Sequence, residues 1–143
     1  MRSPEQVTWD FVQQWLSKAQ KDLQAASVLL TADLDDYENV GFHAQQAAEK
    51  FIKAFLVRHQ IEFPKTHDIA VLRELLAQVD QRTAERLAPA EALSPFGATF
   101  RYPSALPFVP RDEGERALRL AQKVRDVVMQ TLKPYLEAGR PRG

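Results

Sequence analysis

The chain contains no cysteine. This excludes disulfide frameworks, thiolate metal sites and cysteine nucleophiles together. Its 3 histidines, His43, His59 and His67, stand apart in sequence and leave little material for a metal centre. No metal and no cofactor are therefore expected. Only 5 glycines occur, none in a glycine-rich phosphate loop, and the HExxH and GxSxG patterns are missing too. An excess of one charge is also lacking, because 19 Lys and Arg balance 19 Asp and Glu. That balance argues against a domain that coats polyanions. No apolar run approaches the roughly 18 residues of a membrane span. The start, MRSPEQVTWDF, lacks the basic-then-apolar order of a signal peptide. A cytoplasmic protein without a membrane partner is the expectation.

What is present is ordinary globular material. With 143 residues, 45% of them hydrophobic and 27% charged, the chain has room for one domain. That domain is expected over 1–143, with its core over about 9–136 and a frayed tail at 137–143. Helical periodicity dominates. Phe11, Val12, Trp15, Leu16, Ala19, Leu23, Ala26 and Leu30 recur at three and four, predicting a helix over 8–31 capped by Thr8. The acidic turn Asp33, Asp35, Asp36 leads to a second helix over 38–59. Ala44, Ala47, Ala48, Phe51, Ile52 and Phe55 form its buried face. Thr66 or Asp68 can cap a third helix through Ile69, Leu72, Leu75, Leu76 and Val79. Thr83 to Leu93 reads as a weaker helix bent at Pro89. Pro95, Pro103, Pro107 and Pro110 frame a stretch closed to helix, and a last helix follows over 112–136. The fold class is all-α, an up-and-down bundle of four to five helices. Apolar residues left exposed on the second and last helices are expected to form a two-fold dimer.

Three stretches could carry chemistry. In GFHAQQAAEKFIKAFL, residues His43, Gln46, Lys50 and Lys53 share a stripe, and Gln45, Gln46 and Glu49 add donors and acceptors suited to a base or ribose. The same composition fits a solvated face beside an Ala-rich contact surface, with Glu49 and Lys53 as an exposed pair four apart. KTHDI, Lys65 to Ile69, is a helix start that could accept an anion or serve as a cap with His67 packed beside it. FRYP, Phe100 to Pro103, sets a guanidinium beside a phenol; it suits phosphate and base contacts or the anchoring of a loop.

WLSKAQKDL at Trp15, FHAQQAAEKFIKAFL, KTHDI and FRYP before a long amphipathic helix together resemble the HEPN (higher eukaryotes and prokaryotes nucleotide-binding) domain family. The resemblance spans about Trp15 to Leu132. It implies a helical bundle that usually dimerises, with a role near nucleotides or RNA. It also implies a minimal nucleotidyltransferase as a frequent partner in a toxin–antitoxin pair. The family's ribonuclease toxins use an Arg, four to six intervening residues and then a His near the start of the last helix. No histidine here follows an arginine at that spacing, and R-Y-P stands where that motif belongs. The resemblance therefore implies a non-catalytic module that binds a nucleotide or a protein partner, with no catalytic residues. The alternative is a ribonuclease whose unusual centre uses Arg101, Tyr102 and His67. The expected ligand site joins Gln46, Lys50, Lys53, Lys65, His67, Arg101 and Tyr102 in one anion-accepting cleft. Its cations should be partly solvated, facing one another across water.

Overall fold

The computed structural model describes residues 1–99 and 108–143, apart from the side chains of 98 and 99. Among these residues the fold is all-helical. Three long helices, α1 (Pro4–Thr31), α2 (Glu38–Arg58) and α6 (Arg111–Ala138), form the body. Three short ones, α3 (Ile69–Ala77), α4 (Gln81–Arg86) and α5 (Ser94–Thr99), with a 3₁₀ turn at Ala88–Leu93, close one side. The count exceeds the four to five expected because the segment from Thr83 onward breaks into pieces at Leu87. Pro89 then falls in the first turn of the 3₁₀ segment, where its missing N–H costs nothing. Pro95 likewise lies within α5 rather than ending helical structure.

Helix α1 begins four residues before the predicted start. Ser3, not Thr8, is its N-cap. The Ser3 hydroxyl accepts from the Gln6 N–H at 3.2 Å, and Gln6 Oε1 accepts from the Ser3 N–H at 3.0 Å. This capping box, with Pro4 in the first turn, supplies partners for end groups that the helix itself leaves unpaired. Asp68 caps α3 through the Ala70 N–H at 2.9 Å. The Thr66 hydroxyl accepts from the Asp68 N–H at 3.0 Å.

Helix α2 is the central element and packs against α1, α3, α5 and α6. Its predicted face, Ala44, Ala47, Ala48, Phe51, Ile52 and Phe55, is wholly buried. Val12, Leu16, Ala19 and Leu23 of α1 and Ala121, Val124, Val127 and Val128 of α6 meet it. Burying each large side chain is worth about 1.5–3 kcal/mol. Two close approaches set the helix spacing. A Cβ on Gly41 would lie 2.3 Å from the Phe96 ring, and one on Gly114 would lie 3.2 Å from Tyr37 Cβ.

Residues 137–143 make contacts of their own. The Pro141 carbonyl accepts from Gln6 Nε2 at 3.0 Å, and Arg140 donates to both carboxylate oxygens of Asp10 at 3.0 and 3.1 Å. The large apolar side chains left exposed include Phe11 and Val28 on α1, Val79 and Phe108. None of these lies on α2 or α6, whose large apolar side chains among the described residues are buried or half-buried, the latter including Val57 of α2 and Leu120, Met129 and Leu136 of α6. Among the described residues, no helix is long and apolar enough to cross a membrane.

Candidate functional site

The middle of α2 carries four polar side chains that the core should reject. Gln45, Glu49 and Lys53 are buried, and Gln46 is half-buried beside them. They survive there because they satisfy one another. Glu49 Oε1 accepts from Lys53 Nζ at 2.6 Å. Its Oε2 accepts from Gln45 Nε2 at 3.0 Å and Gln46 Nε2 at 3.3 Å, and faces His67 Nδ1 at 3.0 Å. Gln45 Nε2 also reaches the His67 carbonyl at 3.0 Å, and Gln46 Nε2 reaches Gln45 Oε1 at 2.7 Å. An ionised carboxylate only accepts, so the pairing places the His67 proton on Nδ1. A buried charge persists when a counter-charge and hydrogen bonds replace the lost water. Glu49 has both.

Lys53 corrects two expectations. It is buried rather than partly solvated, and its pair with Glu49 is internal rather than exposed. The reason is what covers α2. Lys53 Nζ lies 5.3 Å from the Trp15 ring centroid and 5.5 Å from that of Phe63, and donates to the Thr66 carbonyl at 3.3 Å. Helix α1 and the segment before α3 thus close over the stripe. Aromatic faces compensate an ammonium for lost water.

A second cluster sits on the same side of α2, toward α1. Asp22 of α1 accepts from Lys50 Nζ through one oxygen and faces His43 Nδ1 at 3.0 Å through the other. Lys50 and Lys53 are therefore neutralised by separate carboxylates instead of facing each other across water. The structure brings Gln46, Lys53 and His67 into one network and assigns Lys50 to the Asp22 cluster. Lys65, two residues before His67, is exposed and forms no ion pair among the described residues. Arg101 and Tyr102 lie outside the described residues. The remaining histidine, His59, is at the end of α2 against the Phe55 ring, where burial and then Arg58 lower its pKa. Its place is structural. Among the described residues no group of three or more His, Cys, Asp or Glu is arranged to hold a metal.

Gln45, Glu49, Asp22 and His43 are the site residues that the sequence-based cleft omits. A signal for the first two exists. Gln45, Glu49, Ile52 and Leu56 form one row at helical spacing, and its last two members are plainly core. Asp22 carries no such signal, because its role depends on the register of α1 against α2.

The sequence profile of the HEPN domain matches residues 12–132. This chain belongs to the HEPN domain family. The matched span runs from the first buried residue of α1 to the last buried residue of α6 and includes both polar clusters. A relative from Methanocaldococcus jannaschii, named "Putative toxin MJ1304", is 25% identical over 133 residues, covering 83% of this HEPN chain and 86% of its own length. No solved structure matches the chain.

Proposed function

We propose that this HEPN domain is a non-catalytic module that binds a nucleotide or short RNA along the polar face of α2. It would work in the cytoplasm as a homodimer beside a nucleotidyltransferase-type protein partner. The observation that carries the reading is the Glu49 network. A fully bonded buried carboxylate fixes Gln46 and His67 at the edge of the face, two residues from the exposed Lys65. Such an array can supply a cation for phosphate, an imidazole and an amide for a base edge. Arg101 and Tyr102 are assigned to the same site for their phosphate-binding and stacking chemistry. Gln46, Lys65 and His67 contact the ligand in this reading, while Lys50 and Lys53 set the local field. The missing Arg-to-His spacing supports a role without catalysis. Calorimetric titration of AMP, ATP and short RNA into wild type and Arg101→Ala tests it. A contact to phosphate by Arg101 is worth about 1.5–3 kcal/mol, so its loss weakens binding about tenfold or more. Absence of binding by the wild type would sink the reading in favour of a protein-binding surface.

A second reading has two observations behind it. The relative's name and the Glu49–His67 pair, a carboxylate orienting an imidazole, fit an RNA-cleaving toxin with a non-standard centre. RNA cleavage that survives chelation and disappears in His67→Ala would establish it.

A further inference from the structure

The Asp22 cluster repeats the donor set of the Glu49 cluster. Each carboxylate takes one imidazole Nδ1 and one lysine ammonium. The difference is in the acid and the lysine. Glu49 and Lys53 are 2% and 9% exposed, whereas Asp22 and Lys50 are 15% and 22% exposed, and the His43 imidazole is open to solvent, as His67 is. An ion pair between Asp22 and Lys50 alone would satisfy the α1–α2 seam. His43 adds an imidazole whose Nδ1 is committed to Asp22 and whose Nε2 has no hydrogen-bond partner among the described residues. Its ring rests edge-on against Phe42 at 5.4 Å, which limits its freedom further.

We propose that His43, held by Asp22 and flanked by Lys50, is a second phosphate-contacting station, so that the site takes a ligand bearing two phosphate groups. This rests on the nucleotide-binding reading above. The cluster is neutral while the imidazole is neutral. With a phosphate at Nε2, the His43 ring lies between two anions, Asp22 at Nδ1 and the phosphate, and an imidazolium donates to both at once. Lys50 adds a neighbouring cation. Spacing selects the ligand. His43 and Glu49 are six residues apart, about 9 Å of helix axis at 1.5 Å per residue. Stacked nucleic-acid strands carry one charge about every 3.4 Å, so the stations are roughly two to three nucleotide steps apart. A single phosphate cannot reach both, whereas the first and third phosphates of a 5′-phosphorylated trinucleotide, two steps apart, can.

The test titrates AMP and the 5′-phosphorylated trinucleotide pApApA into wild type, His43→Ala and His43→Gln, with a melting curve for each protein. We expect pApApA to bind wild type about tenfold more tightly than AMP or better, the effect of one added contact. His43→Ala and His43→Gln should remove that advantage and leave AMP affinity and melting temperature unchanged. Equal affinity of wild type for the two ligands overturns the second station. So does a pApApA advantage that persists in both variants, or a parallel loss for both ligands. In each of these cases AMP binding by wild type leaves the nucleotide reading standing. If neither ligand binds wild type, both readings fall together.

Discussion

Glu49→Gln is the substitution that probes the centre of the molecule most directly. It preserves shape and removes one charge. Lys53 would then be a buried ammonium, 9% exposed in its side chain, without a counter-ion. Removing one member of a buried pair costs about 3–5 kcal/mol, because the charge left behind has lost its water without compensation. Two features place the expected loss near the lower end. The Trp15 and Phe63 rings and the Thr66 carbonyl still face Lys53 Nζ, and a glutamine oxygen can still accept one bond. For a chain of this size, about 3 kcal/mol corresponds to roughly 6–12 °C in melting temperature. Urea denaturation of wild type, Glu49→Gln, Lys53→Met and the double variant closes a cycle. The double variant should be more stable than the sum of the single losses predicts, by about 1–3 kcal/mol, since neither charge then remains alone. A loss under 1 kcal/mol for Glu49→Gln with additive single effects would refute the reasoning. The pair would then behave like a screened surface contact.

Gly41→Ala should destabilise the protein, although in an exposed helix the same change gains about 1 kcal/mol. The new Cβ would sit 2.3–2.7 Å from the Phe96 ring, and overpacking typically costs about 1–3 kcal/mol; recovery in a Gly41→Ala/Phe96→Leu double variant, read by melting temperature, checks the cause. Arg140 and Arg2 hold the Asp10 carboxyl down at about 2, from an ordinary 3.8. A lowered folded-state pKa means the tail contact is present above the ordinary value and is lost as pH falls through about 2. Carboxyl NMR titration should show this, and Asp10→Asn should expose the bond after Arg142 to trypsin with little change in melting temperature. Tyr135→Phe should leave stability equal or slightly raised in denaturation experiments, because the Tyr135 hydroxyl is buried without a hydrogen-bond partner among the described residues and its removal relieves a desolvated group. A loss above about 1 kcal/mol would show that the hydroxyl is bonded.

The helices, their buried faces and the family were legible in the amino-acid sequence because each depends on local spacing. The row from Ala44 to Phe55 needs only a 3.6-residue period to identify its inner side, and all of its predicted members are buried. Asp68 as a cap follows from position alone. The start of α1 was equally local, since Ser3 and Gln6 spell the capping box, and Thr8 lost because it lies inside the helix they begin. The fate of the polar stripe was decided by tertiary structure. On an isolated helix Glu49 and Lys53 would be an ordinary exposed pair. They become an internal one because Trp15, Phe63 and the Thr66–His67 backbone close over them, from positions 10 to 38 residues away. Asp22 shows the same dependence. No periodicity in α1 distinguishes it from other surface acids, and only the packing register of α1 on α2 hands it both His43 and Lys50. Apolar residues need any apolar neighbour to be buried well, so their pattern is written along the chain. A buried charge needs one particular partner within about 3 Å, and that partner is chosen only when the helices meet.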